Sequence, residues 1–172
     1  MRWWRVWSLP LALPVAWAWA VRHRRRILRH GQPLSPRQRE LAAQLRVRRA
    51  DDVRLMVVPA LPLPGFALLR RLGVPGLPRV GDVSAITLGH GIYCIGQPPS
   101  YRLLAHELAH VRQVEQAGSL RAFLAEYLRQ VARHGYWDAP LEAQAREAAR
   151  GCAEGHAGRD GASSPGAWGP CG

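Results

Sequence analysis

Lysine is absent from these 172 residues, so the net charge of +12 rests on arginine. Uniform arginine usage is what a GC-rich genome produces, and the choice of residue therefore says little about function. Its distribution says more. Residues 1–54 hold 13 Arg against three acids, whereas residues 55–172 hold 11 Arg against nine. The basic excess belongs to the amino-terminal third, where it suits anionic lipid head groups or nucleic acid. A nucleic-acid recognition motif is also lacking, so no specific nucleic-acid partner is expected. Cysteine is scarce: Cys94, Cys152 and Cys171 form no CxxC pair, and one of the three stays unpaired within a monomer. That pattern points to a reducing compartment and offers no cysteine-based zinc motif. Cys94, in a β-prone stretch, reads as a small buried apolar residue.

A long apolar run is missing too. Residues 6–21 carry no charge, but a helix of that length reaches only about 24 Å against a hydrocarbon core of ~30 Å. Pro10 and Pro14 weaken a straight span further. Five of the seven tryptophans fall within residues 1–21, and Trp prefers the membrane interface. Three readings compete. The favoured one is an uncleaved anchor or interfacial wedge, with residues 1–29 on a membrane surface and the arginines at 22, 24, 25, 26 and 29 on the cytoplasmic side. Ala18-Trp19-Ala20 suits a signal-peptide end and export to the periplasm or medium, although the arginines after it oppose export. The third reading is a hydrophobic element buried in the protein itself. The expected division is a membrane-associating segment 1–31, a domain 32–151, and a disordered Gly/Ala/Ser/Pro-rich tail 152–172. The chain is long enough for one ordinary domain with a real core.

What is present is His106-Glu107-Leu108-Ala109-His110, inside a run of helix formers free of Gly and Pro. Histidines at i and i+4 share a helical face, their Cβ atoms roughly 6 Å apart, and can converge on one Zn2+. Glu107 follows the first histidine and can take a proton from the metal-bound water without being a ligand. Ser100 offers an N-cap and Gly118 a stop, while Leu104, Leu108 and Val111 form an apolar stripe that should be buried. The bland alternative is a core helix whose histidines merely hydrogen-bond.

The rest of the chain reads as α+β, mostly helical with a short antiparallel sheet beside the His-Glu-x-x-His helix. Ser35-Pro36-Arg37-Gln38 predicts a capping box opening a helix, which a thin apolar face of Leu41, Leu45 and Val47 would leave on the surface. Val53 to Val58 predicts a strand stopped by Pro59. Pro62 to Gly65 predicts a loop, Phe66 to Leu72 a short helix, and Val74 to Gly81 another connection. Residues 85–88 and 92–95 are β-prone around a Gly89-His90-Gly91 turn. Leu120 to Arg133 predicts a helix with Phe123, Leu124, Tyr127, Leu128 and Val131 as its core face, so Tyr127 reads as core. Leu141 to Arg150 predicts a last helix ended by Gly151.

A catalytic zinc needs three protein ligands plus water. The spacing alone leaves the third open among Glu142, Glu147, Glu126, His90, His134 and Cys94.

Residues 85–93, His106 to Gln113, and Gly135 to Arg146 together resemble an uncharacterised bacterial group of zincin-like, gluzincin-type metallopeptidase domains. The resemblance spans roughly residues 32–150. It implies a small zincin-like fold, a peptide or protein substrate paired along the strand next to the helix, and Glu142 as the third zinc ligand. Gluzincins carry an acid four residues after that ligand to orient the first histidine. Here Arg146 stands there, leaving Glu115 or Asp138 for the role.

The expected function is zinc-dependent peptide-bond hydrolysis by Glu107-assisted attack of zinc-bound water, at a membrane face. Tyr93, Tyr136 and His134 are candidate donors to the substrate's developing oxyanion. The alternative is a catalytically idle zincin-fold scaffold at the membrane. The sequence gives no oligomeric state.

Overall fold

The computed structural model describes residues 9–61 and 83–160, with side chains from 13 to 61 and from 83 to 152. The loops and short helix expected between Pro62 and Gly81, the tail beyond residue 160 and the first tryptophans lie outside the described residues. Helix α1 spans Leu9–His30, strand β1 Gln32–Pro33, helix α2 Pro36–Gln44 and strand β2 Arg54–Val58. Strands β3 (Ala85–Leu88) and β4 (Gly91–Ile95) precede helices α3 (Tyr101–Gln116), α4 (Leu120–His134) and α5 (Pro140–Asp160). The class is α+β, as the sequence indicates.

The sheet runs in the order β1-β2-β4-β3. It is mixed rather than antiparallel throughout. β3 and β4 form the expected hairpin, with Ile86 opposite Tyr93, and Gly89 supplies the positive φ of +73° that its turn requires. β2 and β4 instead run parallel, Leu55 beside Ile92, because the chain between them is a long crossover and not a tight turn. This order leaves β3 at an edge, a placement that matters below.

Side chains alternate across the strands, so the sheet buries two faces. Leu55, Ala85, Ile92 and Cys94 pack with Leu104, Leu108 and Val111 of α3 and with Leu41 of α2. Tyr93, Leu88 and Ile86 turn the other way, toward Ala20 and Ile27 of α1 and Phe123 of α4. The α2 capping box is present: Gln38 N–H donates to Ser35 Oγ at 3.4 Å, and Ser35 N–H donates back to Gln38 Oε1 at 2.9 Å. Its thin apolar face is not a surface face, since Leu41, Leu45 and Val47 are all buried. Four turns of α3 are capped as expected, with Leu103 N–H donating to Ser100 Oγ at 3.2 Å.

Two boundaries differ from expectation. α5 does not stop at Gly151 but continues to Asp160. A lone helical glycine costs only about 1 kcal/mol against Ala, and the Ala, Glu and Arg around it favour continuation. Nor does α1, within the expected segment 1–31, stand apart from the domain. α1 lies against the sheet closely enough that a Cβ on Gly91 would sit 3.0 Å from Ile27 Cβ. Ala16, Ala20 and Ile27, spaced on one helical face, are buried beneath it. The third reading of the uncharged stretch, an element buried in the protein, therefore describes the inner face of α1. Among the described residues, no helix is long and apolar enough to cross a membrane.

If α1 is part of the fold, Ile27→Ala should destabilise the protein by about 2–5 kcal/mol. Trp17→Ala, at a position 41% exposed, should cost within about 0.5 kcal/mol. Denaturant unfolding reads both; equal small effects would return α1 to the status of an appendage.

Candidate metal centre

α3 presents His106 and His110 one above the other, their ring centroids 4.7 Å apart. α5 packs along α3 and carries Glu142 in its first turn, just after Pro140. Its carboxylate enters between the two rings: Oε2 lies 3.3 Å from His106 Nε2, and Oε1 lies 3.4 Å from His110 Nε2. The two Nε2 atoms are 3.1 Å from each other. One ligand atom from each residue thus falls within 4.8 Å of the other two. Glu142 is 2% exposed, and its Oε2 has no hydrogen bond among the described residues. A buried, unbonded carboxylate oxygen facing two imidazole nitrogens is a donor set that fits a divalent cation of the zinc type.

The neighbours hold this set in place. The His110 ring is oriented by a 2.8 Å bond between Nδ1 and Gln113 Oε1, which leaves Nε2 facing the centre. Gln113 Nε2–H in turn donates to Leu141 O at 3.0 Å, so the residue that aims His110 also ties α3 to the start of α5. Tyr127 O–H donates to Glu142 Oε1 at 2.7 Å. Tyr127 is therefore a site residue and not only core; the sign that it needed a partner was a phenol on an otherwise apolar helical face. Gln113, three residues beyond His110, lay within the same helical face. Thr87 on β3 is the other residue that sequence patterning passed over. Its hydroxyl lies 2.6 Å from Glu107 Oε2 and 3.1 Å from Glu107 O, pinning the buried Glu107 to the edge strand.

Electrostatics match this arrangement. Burial pushes the Glu142 carboxyl toward protonation, but the His106 and His110 imidazoles that face it, the His110 charge and the Tyr127 hydroxyl outweigh burial and hold the group well below the usual carboxylate range. Burial likewise disfavours a charged His110, yet the adjoining Glu142 and Glu107 carboxylates raise its pKa on balance. Tyr127 is raised by burial and by Glu142, so it stays a protonated donor.

The other candidates lie elsewhere. Tyr93 is wholly buried on the opposite sheet face, its hydroxyl 3.2 Å from His23 Nδ1; strand alternation turns it away from α3. Glu115 does not orient a ligand. It accepts from the backbone N–H groups of Arg48 at 2.8 Å and Arg49 at 3.0 Å, and lies 3.0 Å from His90 Nε2. His90 is thereby committed to Glu115. Asp138 and His134 are exposed, Glu126 pairs with Arg129 and Gln130, and Glu147 pairs with Arg150. Cys94 is buried in the core, where its thiol is pushed up to about 12 by burial and by Glu107. Tyr136 does line the walls of the centre beside His106, Glu107 and Glu142.

Two clefts open from the centre. One is apolar, running between Ala16 and Trp19 of α1, β3, and Phe123, Leu124 and Leu128 of α4. The other shares His106, Glu107, Tyr136 and Glu142 with it and is walled further by Ser84, Arg102, Trp137 and Arg146. The chain matches no protein-family model, no curated protein and no solved structure.

In the metal-free protein the His110–Glu142 pair makes stability depend on pH at both ends. The Glu142 contribution is present above the ordinary carboxyl value of 4.5 and lost as pH falls below it. The His110 contribution is complete below its ordinary 6.5 and lost as pH rises through its higher folded value. Unfolding of metal-free protein should show stability declining on the alkaline side, by at most about 1.4 kcal/mol per pH unit. Glu142→Gln should flatten that limb; an unchanged limb would mean the pair does not exist.

Proposed function

We propose that this chain is a zinc-dependent peptide-bond hydrolase with His106, His110 and Glu142 as its metal ligands. The observation that carries the reading is the convergence of these three donors from two helices, with Glu107 buried beside them and held by Thr87. Three donors also suit a catalytic site better than a structural one, which is closed by four. When bound there, the cation acts as a Lewis acid toward water and a substrate carbonyl.

The chain's own residues do the rest. Glu107 accepts a proton from the attacking water and returns it to the leaving amine. The Thr87 hydroxyl keeps the carboxylate's other side occupied, so that one oxygen works while the other is anchored. Tyr136, on the cleft wall, is the candidate donor to the oxyanion. β3, the edge strand next to the centre among the described residues, offers there a side along which an extended peptide can add as a further strand. This is the geometry that the resemblance to zincins implies. It supports that reading.

A second reading has its own support. Glu142 is buried and joins α5 to α3, so a metal there can brace a scaffold without turning over substrate. Purified wild-type chain should carry one zinc, and both His110→Ala and Glu142→Ala should lose it. Full zinc in Glu142→Ala would displace that residue from the ligand set, and no zinc in folded wild type would remove the reading altogether. Glu107→Gln separates the two readings: it should keep zinc while lowering peptide hydrolysis by about 10²–10⁴-fold. A scaffold would show no hydrolysis to lose.

The proposal includes a membrane surface as the place of work, with the catalytic part on the cytoplasmic side. Arg22, Arg25, Arg26 and Arg29 are exposed at i, i+3, i+4 and i+7 on α1, a basic stripe opposite its buried one. Each arginine near an anionic surface is worth about 1 kcal/mol. Binding to phosphatidylglycerol vesicles should therefore fall by tenfold or more when all four become Gln, and should weaken with salt. Equal binding to neutral phosphatidylcholine vesicles would exclude this role.

A further inference from the structure

Two arginines stand one helical turn from two of the proposed ligands. On α3, Arg102 precedes His106 by four residues; on α5, Arg146 follows Glu142 by four. Residues so spaced share a helical face. The two helices run past each other in opposite senses, since Gln113 near the end of α3 reaches Leu141 and Gln144 at the start of α5. Both guanidiniums consequently lie toward the same end of the pair. They line one cleft together with His106, Glu107, Glu142 and Tyr136.

That cleft sets two arginines against two acids. Among the described residues the acids are Glu107 and Glu142, both turned to the centre, which leaves the arginines without one of their own. Among the described residues, neither arginine has a carboxylate within ion-pair reach, although other surface arginines such as Arg39, Arg129 and Arg150 have one. Arg146 is held by a bond from Nη2 to Trp137 O, while its Nη1 is buried without a hydrogen-bond partner. A fixed guanidinium with a buried, unused donor costs free energy unless an acceptor arrives. Its fork geometry matches a carboxylate.

Resting on the hydrolase reading of the centre, we propose that this arginine-lined cleft receives a carboxylate of the substrate, about one helical turn (~5.4 Å) along from the reacting carbonyl. The carboxylate is either the free end of a peptide or an acidic side chain next to the cleaved bond. The apolar cleft that adjoins it at the centre takes the other half of the substrate. Specificity thus divides between a cleft with arginines and one with apolar walls.

The test uses the full chain loaded with Zn2+ and three peptide-like hydroxamates of equal length, whose hydroxamate group anchors on the metal. One ends in a free α-carboxylate, one has that end amidated, and one is amidated but carries an Asp side chain. The two carboxylate probes, or one of them, should bind about tenfold or more tightly than the neutral one, as a charged hydrogen bond predicts. The tighter of the two identifies the source. The preference should shrink in Arg146→Gln and in Arg102→Gln, the latter at an exposed position where folding is not at stake. Equal or absent binding of all three by metal-loaded protein, or a preference that survives both substitutions, would overturn the carboxylate site and leave the metal reading standing. Failure to take up metal would overturn both.

Discussion

A carboxylate buried to 2% exposure cannot remain in a protein interior without compensation, because desolvation of an ionised group costs several kcal/mol. Glu142 meets that constraint by drawing three elements to one point. α3 supplies two imidazoles, α4 supplies the Tyr127 hydroxyl, and α5 brings the carboxylate itself. Gln113 closes the loop by bonding the ring of His110 and the backbone where α5 begins. The packing of the three helices and the geometry of the centre are therefore one arrangement. Removing the negative charge would leave the histidines without their counter-charge as well as the cation site without its third donor.

The sheet contributes by where it ends. Because β3 is an edge and not a central strand, its Thr87 can reach Glu107 while its outer side remains open along the described residues. β3 also walls the apolar cleft with α1 and α4. In this way the amino-terminal helix, whose composition suggests a membrane element, has a second use: its Ala16 and Trp19 form part of the cleft beside the centre. Its inner face is small and apolar, and its outer face is a row of arginines. A helix of that kind can serve the core and an anionic surface at once, since the two demands fall on opposite sides.

The local features were legible in the chain because they depend on near neighbours. Ser35 and Ser100 cap helices where their spacing to the following N–H groups says they should. The β3–β4 turn follows from glycine's access to positive φ. Two places in the chain carry a pattern that has two physical outcomes. The uncharged stretch before the arginines satisfies either lipid or a protein core, and burial energy does not distinguish them by sequence. Gly151 is a stop signal only if nothing around it favours continuation, and there the helix continued.

His106, Glu107 and His110 owe their common face to the 3.6-residue repeat of one helix, so the sequence by itself determined that they would stand together. It also determined the α+β class, through the alternation of short β-prone runs with longer helical ones. Only the tertiary structure chose Glu142 over Glu126, Glu147, His90, His134 and Cys94, by the way α5 crosses α3. It alone turned Tyr93 away, gave Glu115 to Arg48, Arg49 and His90, and brought Thr87, Gln113 and Tyr127 to bear on the centre. The reason is one of range. Periodicity propagates along a single element, whereas a third donor some thirty residues away is set by helix crossing and strand order, which depend on the whole packed core.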